Sequence, residues 1–469
     1  MQEPGDILRP FDMKNHVFPP WSILFLTLLG MLPPLVQSAE TKPNILWLLA
    51  EDIGPEAFSQ AGTPQAHTPV IDQLAREGVR YTRAYTSAPV CSPSRSALIT
   101  GMYATTIGAH QHRTKNKARL PEGVRILPDR LREAGYFTGN IVKFPESAGV
   151  KGTGKTDWNF IQQAPAFDTR DWADLKSHQP FYAQVNFNET HRGFRAPPEA
   201  DPAKVVPPPY YPDHPVIRQD WAAYLDSARD LDRKVGRVLV QLQADGLADN
   251  TIVVLMGDNG QAHIRGKQFL YEEGVHVPLI IRWPSALATP TGFTPGTEDP
   301  RLIASIDLTA STLTWAGVVK PATMQGRIFL GPQAEAPRDL VFSARDRMDE
   351  TVMRHRAVRD DRYRYIKNFT PEKPFFSPNS YKAKQYPAWN LIQQLHQEGK
   401  LNPVQEILCQ PSMPEEELYD LQSDPHQINN LALSTSPEHQ VARTKLRGAV
   451  TQWIESTNDR GRLPDPDAE

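Results

Sequence analysis

Hydrophobic positions along this chain fall into two alternating textures. Ile45 to Ala50 and Ile252 to Met256 are apolar without a break, which marks strands covered on both faces. Residues 220–244 instead place Tyr224, Leu225, Ala228, Leu231, Val235, Val238, Leu239 and Leu242 on one stripe at helical spacing, with Asp245-Gly246 as the stop. Between these lie a helix over 70–77 closed by Gly78, a strand over 79–85, a helix over 127–134 closed by Gly135, and strands over 136–142 and 180–187. Strands alternating with helices predict an α/β fold with a doubly wound, mostly parallel sheet.

After about residue 340 the texture changes. Segments 340–342, 353–358 and 363–368 are short and strand-like, and a last helix covers 437–456. This predicts a large α/β domain over 40–339 and a smaller C-terminal α+β domain over 340–469. Residues 371–414 carry Phe375, Phe376, Tyr381, Tyr386 and Trp389, as a packing strap or as part of a substrate-binding rim.

The 469 residues can bury a large core, and 44 prolines point to long ordered loops draped over a scaffold. A net charge of −3 supplies no global basic field, which argues against a nucleic-acid partner. Residues 21–36 are apolar but broken by Pro33 and Pro34 and are followed by Gln37-Ser38-Ala39, the pattern of a secretory signal over 1–39 rather than of a stable membrane span. Glu3 and Asp6 are unusual ahead of such a run, whereas Met13-Lys14-Asn15-His16 makes an ordinary start, so translation is expected to begin at Met13. An exported protein, periplasmic or extracellular, is the expectation.

The chemistry centres on Cys91-Ser92-Pro93-Ser94-Arg95. Pro93 suits a first helical turn, so a helix is expected over 94–100 with its start beside Cys91, where free N–H groups and the Arg95 charge would lower a thiol's pKa or hold an oxyanion. A buried structural cysteine is the other reading of that position. Glu51-Asp52 and Asp258-Asn259 each close a buried strand, and together they offer oxygen donors for a hard cation, Ca²⁺ or Mg²⁺, without Cys/His spacing for zinc. Read alone, either pair also fits a loop cap. The other cysteine is Cys409, so a modified Cys91 would leave no disulfide within the chain.

Cys91-x-Pro93-x-Arg95 followed by Thr100-Gly101 resembles the signature of the type I sulfatases, of the alkaline-phosphatase-like superfamily. The resemblance covers roughly 42–432 and includes Gly135-Tyr136-Phe137-Thr138-Gly139 and the closing stretch 417–431, whose role it implies is structural. It implies that a formylglycine-generating maturation enzyme oxidises Cys91 to an aldehyde whose hydrate supplies the nucleophilic oxygen. It further implies a metal, Ca²⁺ with Mg²⁺ as the other option, held by Glu51, Asp52, the modified Cys91, Asp258 and Asn259. Glu51 departs from the family's usual Asp.

The same resemblance assigns Arg95 to the nucleophile, Lys143 and Lys267 to the sulfate, and His191 to the leaving-group oxygen. The histidine that usually stands two residues after the second-motif lysine is Pro145 here, and His110, His112 and Arg113 are assigned as its substitutes or as substrate contacts, with surface histidines as the other reading. The implied function is a secreted sulfatase acting on sulfate esters of a carbohydrate or polysaccharide. A phosphoester hydrolase on the same scaffold and a non-catalytic binder of sulfated glycans are the alternatives.

Overall fold

The computed structural model describes residues 42–463; the expected signal sequence and the Met13 start lie outside them. Strand β1 (Asn44–Ala50) is buried at every position, as its unbroken apolar run requires. With β2 (Val79–Tyr85), β3 (Phe137–Lys143), β4 (Thr169–Asp171), β5 (Phe181–Phe187), β6 (Thr251–Gly257), β7 (His276–Val277), β8 (Leu279–Arg282) and β9 (Thr297–Ala304) it forms a nine-stranded sheet. The order is β4-β3-β5-β1-β6-β8-β2-β7, with β9 alongside β2. The block β4-β3-β5-β1-β6 is parallel throughout, and β8 and β7 run antiparallel to their neighbours. Ala50 pairs with Phe187 of β5 and with Gly257 of β6, so the chain segments leaving three adjacent strands emerge at one sheet edge. That edge is where ligands bind in open parallel sheets.

Helices cover the sheet: α1 (Pro69–Glu77), α2 (Cys91–Thr100), α3 (Leu127–Glu133), α4 (Pro215–Ala244), the single turn α5 (Glu272–Val275) and α6 (Ser305–Trp315). The α2 helix begins at Cys91, earlier than the sequence pattern indicates, because extended Val90 serves as its N-cap and Ser94 N–H donates back to the Val90 carbonyl. Every residue of α2 is buried, and two of its hydroxyls are satisfied within the helix, Ser96 Oγ donating to the Ser92 carbonyl (2.7 Å) and Thr100 Oγ1 to the Ser96 carbonyl (2.8 Å). The α4 helix also starts earlier than expected, with Pro215 in its first turn and the His214 ring accepting from Val216 N–H.

A second sheet is antiparallel, in the order β10 (Val341–Arg345), β11 (His355–Arg359), β12 (Tyr363–Asn368), β13 (Glu416–Asp420). Between its last two strands run the short helices α7 (Ser380–Gln385), α8 (Pro387–Gln397) and α9 (Pro403–Glu406), and α10 (Pro437–Ser456) follows the sheet. The described residues 42–463 belong to one compact unit. Ala344 N–H bonds the Ser87 carbonyl at 2.9 Å, and Trp453 of α10 stacks on Phe342 at 5.1 Å and meets Tyr103 edge-on at 5.1 Å, so the second sheet shares packing with the first.

The aromatic segment divides between its two readings. Phe375 stacks on Phe269 at 4.2 Å, and Tyr386 and Trp389 are buried, so most of it is packing, whereas Tyr381 faces the sheet edge described next. Among the described residues no helix is long and apolar enough to cross a membrane.

Candidate active site

Because β1 and β6 are parallel neighbours in matched register, Glu51-Asp52 and Asp258-Asn259 leave the sheet side by side. Asp258 N–H donates to the Ala50 carbonyl (2.9 Å) and Ile53 N–H to the Asn259 carbonyl (3.0 Å), which ties the two loops together. Asp52 N–H donates to Asp258 Oδ1 (3.0 Å) and Asn259 Nδ2 to Asp52 Oδ1 (2.9 Å). The start of α2 enters this edge with Cys91 Sγ 3.7 Å from Asp52 Oδ1, and one donor atom from each of Glu51, Cys91 and Asp258 lies within 4.8 Å of the others.

Three buried carboxylates in one place require compensating charge. Arg95 Nε donates to Asp258 Oδ2 at 2.7 Å and its Nη1 to Asn186 Oδ1 at 2.7 Å; Lys267 Nζ is 2.7 Å from Asp52 Oδ2 and Lys155 Nζ 2.5 Å from Glu51 Oε2. Burial alone would raise the Asp52 carboxyl, but the charges of Lys267, His191 and Lys155 hold it well below the usual carboxylate range. The same pairing, against burial, keeps Lys267 and Lys155 above the ordinary lysine value.

The Cys91 thiol goes the other way. Burial first, and then the Asp258 charge, push it up to about 12, against the pull of Lys155 and Lys267. This corrects the expectation from its helix-start position: as a thiol, Cys91 is protonated at neutral pH and a weak nucleophile.

Lys143 is also corrected. Its side chain is 76 % exposed and pairs with Asp171 on the neighbouring edge strand at 2.5 Å, away from the carboxylates. The lysine that does enter is Lys155. After β3 the chain turns back along the sheet, with Gly152 N–H on the Val142 carbonyl and Thr153 N–H on the Asn186 carbonyl, and it delivers Lys155 to Glu51. Only glycine fits at 152, where a Cβ would lie 2.1 Å from the Ile141 carbonyl oxygen, and Gly154 has φ +67°. The sequence signal was present, since Gly154-Lys155 is itself a Gly-Lys pair further along the chain.

The other assigned residues separate. His191 Nε2 is 3.9 Å from Asp52 Oδ2 with its ring beside Tyr381, whose own ring lies 5.6 Å from Lys267 Nζ. His112 is buried, its Nδ1 3.0 Å from Asp349 Oδ1, and its Nε2 has no hydrogen-bond partner. Burial holds its pKa below the usual histidine value despite that carboxylate. Arg113 makes a two-pronged pair with Asp157 (3.1 and 3.0 Å), which is also 3.5 Å from Lys155. His110 is not with them: it lines a small gap with Pro93 of α2, Tyr103 and Trp453.

Asp349, Asp157 and Lys155, which complete the network, went unread in the sequence. Five of the eight described non-glycine residues with φ in the left-handed region belong to this network: Asp52, Arg113, Asp157, Asp349 and Gln268, whose Nε2 donates to Asp349 Oδ2 at 2.7 Å. Such backbone strain gathers where surrounding structure fixes side chains for function.

A supporting layer lies behind His191. Arg192 forks onto Asp220 of α4 and donates at 3.1 Å to His263 Nδ1, whose ring stacks on Trp221 at 3.8 Å. Since arginine can only donate, Nδ1 accepts and the ring is neutral. Burial lowers its pKa from 6.5 to about 4. The unfolded chain therefore takes up a proton that the native state refuses, and unfolding free energy should fall on acidification from pH 6.5 to 4 by about 3 kcal/mol at most. Urea melts across that window should show a flatter pH slope for His263→Gln than for the native sequence, and equal slopes would refute the assignment.

The residues fit a divalent cation. Glu51, Asp52 and Asp258 supply hard oxygens, and the amide oxygen of the fully buried Asn259 has no partner. Three acidic and three basic side chains balance, so a bound divalent ion would leave the edge net positive, suited to an anionic ester.

The family model described as Sulfatase matches residues 43–318, and the one described as N-sulphoglucosamine sulphohydrolase, C-terminal, matches residues 260–387. An ulvan-active sulfatase of Formosa agariphila is 33% identical, over 90% of this chain and 76% of that protein. The N-sulphoglucosamine sulphohydrolase of Homo sapiens is 26% identical, over 89% of this chain and 90% of that protein. The solved structure of a 2-O GAG sulfatase superposes with a TM-score of 0.64 at 20% identity, covering 91% of this chain and 95% of that one.

Proposed function

The chain belongs to the sulfatase family of the alkaline-phosphatase-like superfamily and is a sulfuric ester hydrolase, and from that premise we propose that it is exported and removes sulfate from a polysaccharide through a formylglycine at position 91. The observation that carries this reading is the convergence of Glu51, Cys91, Asp258 and Asn259 with Lys155 and Lys267 at one sheet edge, where the charges balance.

Glu51, Asp52, Asp258 and Asn259 would hold the divalent cation, Ca²⁺ by the all-oxygen donor set. When bound, the ion would withdraw charge from the sulfuryl oxygens and acidify the attacking hydroxyl, which a hydrated aldehyde at position 91 would supply. Arg95 fixes the start of α2 against Asp258 and so orients position 91. Lys267 and Lys155 are the point charges for the sulfuryl oxygens, and their carboxylate partners prevent them from collapsing onto the anion.

His191 stands at the mouth beside Tyr381 and delivers a proton to the leaving oxygen. His112, held by Asp349 through Nδ1 and carrying an unpartnered Nε2, is the neutral base that takes a proton from the nucleophile's hydroxyl. It does the work that Pro145 cannot. Arg113 with Asp157, and Tyr381, form the rim that meets the sugar.

A carbohydrate substrate is supported by the relatives, whose names refer to ulvan, N-sulphoglucosamine and GAG. Export rests on the apolar run and small-residue site over 21–39.

The test is expression with a formylglycine-generating enzyme, followed by peptide mass and product assays. Conversion lowers the mass of the Cys91 peptide by about 18 Da. The converted protein with Ca²⁺ should release sulfate from ulvan oligosaccharides or N-sulfated glucosamine and leave a phosphate monoester intact. Preferential phosphate release would support the phosphoester alternative; tight binding of sulfated sugars by converted protein without sulfate release would support a binder.

A further inference from the structure

Away from the sheet edge, one cluster of metal-ligating side chains has no part in this chemistry. His396, Glu406 and Cys409 each offer a donor atom within 4.8 Å of the other two. They stand on a helical hairpin. The α8 helix buries Ala388, Trp389 and Ile392 and so exposes His396 in its last turn, Gly399 with φ +63° reverses the chain, and Asn402 caps α9 with Gln405 in a reciprocal capping box. The 3₁₀ turn Ile407–Cys409 continues α9, so Glu406 and Cys409 are three residues apart on one helical face. Packing of Trp389 and Leu408 fixes both arms, and the donors meet at the surface between them.

We propose that His396, Glu406 and Cys409 bind a zinc-class transition-metal ion, with a fourth position open to solvent, which clamps α8 to the segment 403–409.

The donor set is the first argument. One imidazole nitrogen, one carboxylate oxygen and one thiol sulfur select Zn²⁺ or Co²⁺ over Ca²⁺ or Mg²⁺, the reverse of the oxygen-only set at the sheet edge. Geometry is the second. Ligands of a tetrahedral Zn²⁺, bonded at about 2.0 to 2.3 Å, sit roughly 3.3 to 3.8 Å from one another. His396 Nδ1 and Glu406 Oε2 are 2.7 Å apart, joined by a hydrogen bond whose proton occupies the position an ion would take. The side chains of His396 and Glu406 are 46 % and 28 % exposed, so the opening needed is a small rotamer adjustment at a solvent-accessible place.

The third argument is the thiol itself. Cys409 is only partly buried, so its sulfur can be reached by an ion from solvent. Metal binding replaces the S–H bond with an S–metal bond and releases the proton to solvent, with no change of oxidation state.

Cobalt reads the site directly, because thiolate-bound Co²⁺ gives a sulfur-to-metal absorption band that oxygen ligands do not. The full-length protein, held in millimolar Ca²⁺ to occupy the oxygen site, is titrated with CoCl₂. The expected result is one such band, saturating at one Co²⁺ per chain and displaced by an equal amount of Zn²⁺, with Cys409 becoming at least about ten-fold slower to react with a thiol reagent. The band should vanish in Cys409→Ala and in His396→Ala and persist in Cys91→Ala. Unchanged circular dichroism of the two hairpin variants separates loss of a ligand from loss of the fold. No band in the native sequence, or a band that survives Cys409→Ala, overturns the proposal. Because catalysis does not pass through these residues, sulfate release by His396→Ala should match the native rate whatever the metal result.

Discussion

Cys91→Ala is expected to leave a folded protein with sulfate release reduced by at least about 10⁴-fold, the scale of losing a covalent nucleophile. Position 91 opens α2, is fully buried, and shares one donor cluster with Glu51 and Asp258. Two neighbouring hydroxyls are engaged elsewhere, Ser94 Oγ donating to the Asp258 carbonyl at 2.5 Å and Ser96 Oγ to the Ser92 carbonyl. The cost in stability should be small, because Cys91 makes only one long sulfur contact, to Asp52, and alanine suits a helix start as well as cysteine does.

Thermal melts and sulfate release measured on the same preparation separate the two effects. Cys91→Ser sharpens the test, since serine offers one hydroxyl where a hydrated aldehyde offers two, and should give at most a single turnover. Steady turnover by either variant would remove Cys91 from the mechanism.

The second large effect is expected at Lys155, with Lys143 as its control. Lys155→Ala should lower kcat/KM by about 10² to 10³-fold, the range for removing one preorganised charge from a reaction that develops charge on oxygen. It should also destabilise the protein by roughly 3 kcal/mol, because Glu51, 3 % exposed, is left as a buried carboxylate without its lysine. Lys155→Arg keeps the charge and should recover most of the stability but less of the activity, since a planar fork replaces a point charge.

Lys143→Ala should leave kcat/KM within about two-fold of the native value, because an exposed ion pair contributes little. Kinetics and urea melts on all three variants decide the matter. An activity loss in Lys143→Ala equal to that in Lys155→Ala would contradict the geometry.

These two predictions differ in how far the sequence foresaw them. Cys91 could be read because its chemistry is written in a contiguous stretch, where Pro93 and Arg95 follow it within the first turns of one helix. Lys155 could not, because its role depends on a return of the chain through Gly152 and Gly154 that places it over the end of β1, more than one hundred residues earlier. His112 is similar: its partner Asp349 comes from beyond the second sheet's first strand, and nothing local to either residue announces the pair. Secondary structure divides along the same line. The strand at 297–304 carries Glu298, Asp299, Pro300 and Arg301, a composition that argues against a strand, and it is one only because β2 supplies a parallel partner.

What the sequence by itself determined was whatever local pattern can encode: buried parallel strands from unbroken apolar runs, helices from their spacing, paired acidic residues at two strand ends, and the motif around Cys91. What only the tertiary structure decided was which charges those residues meet. The register of β1 against β6 brings two acidic pairs into one place, and burial there raises the Cys91 thiol that a helix start alone would have lowered. The physical reason is that pattern and propensity act over a few residues, whereas desolvation and Coulomb interaction depend on distance through space, which the fold sets without regard to separation along the chain.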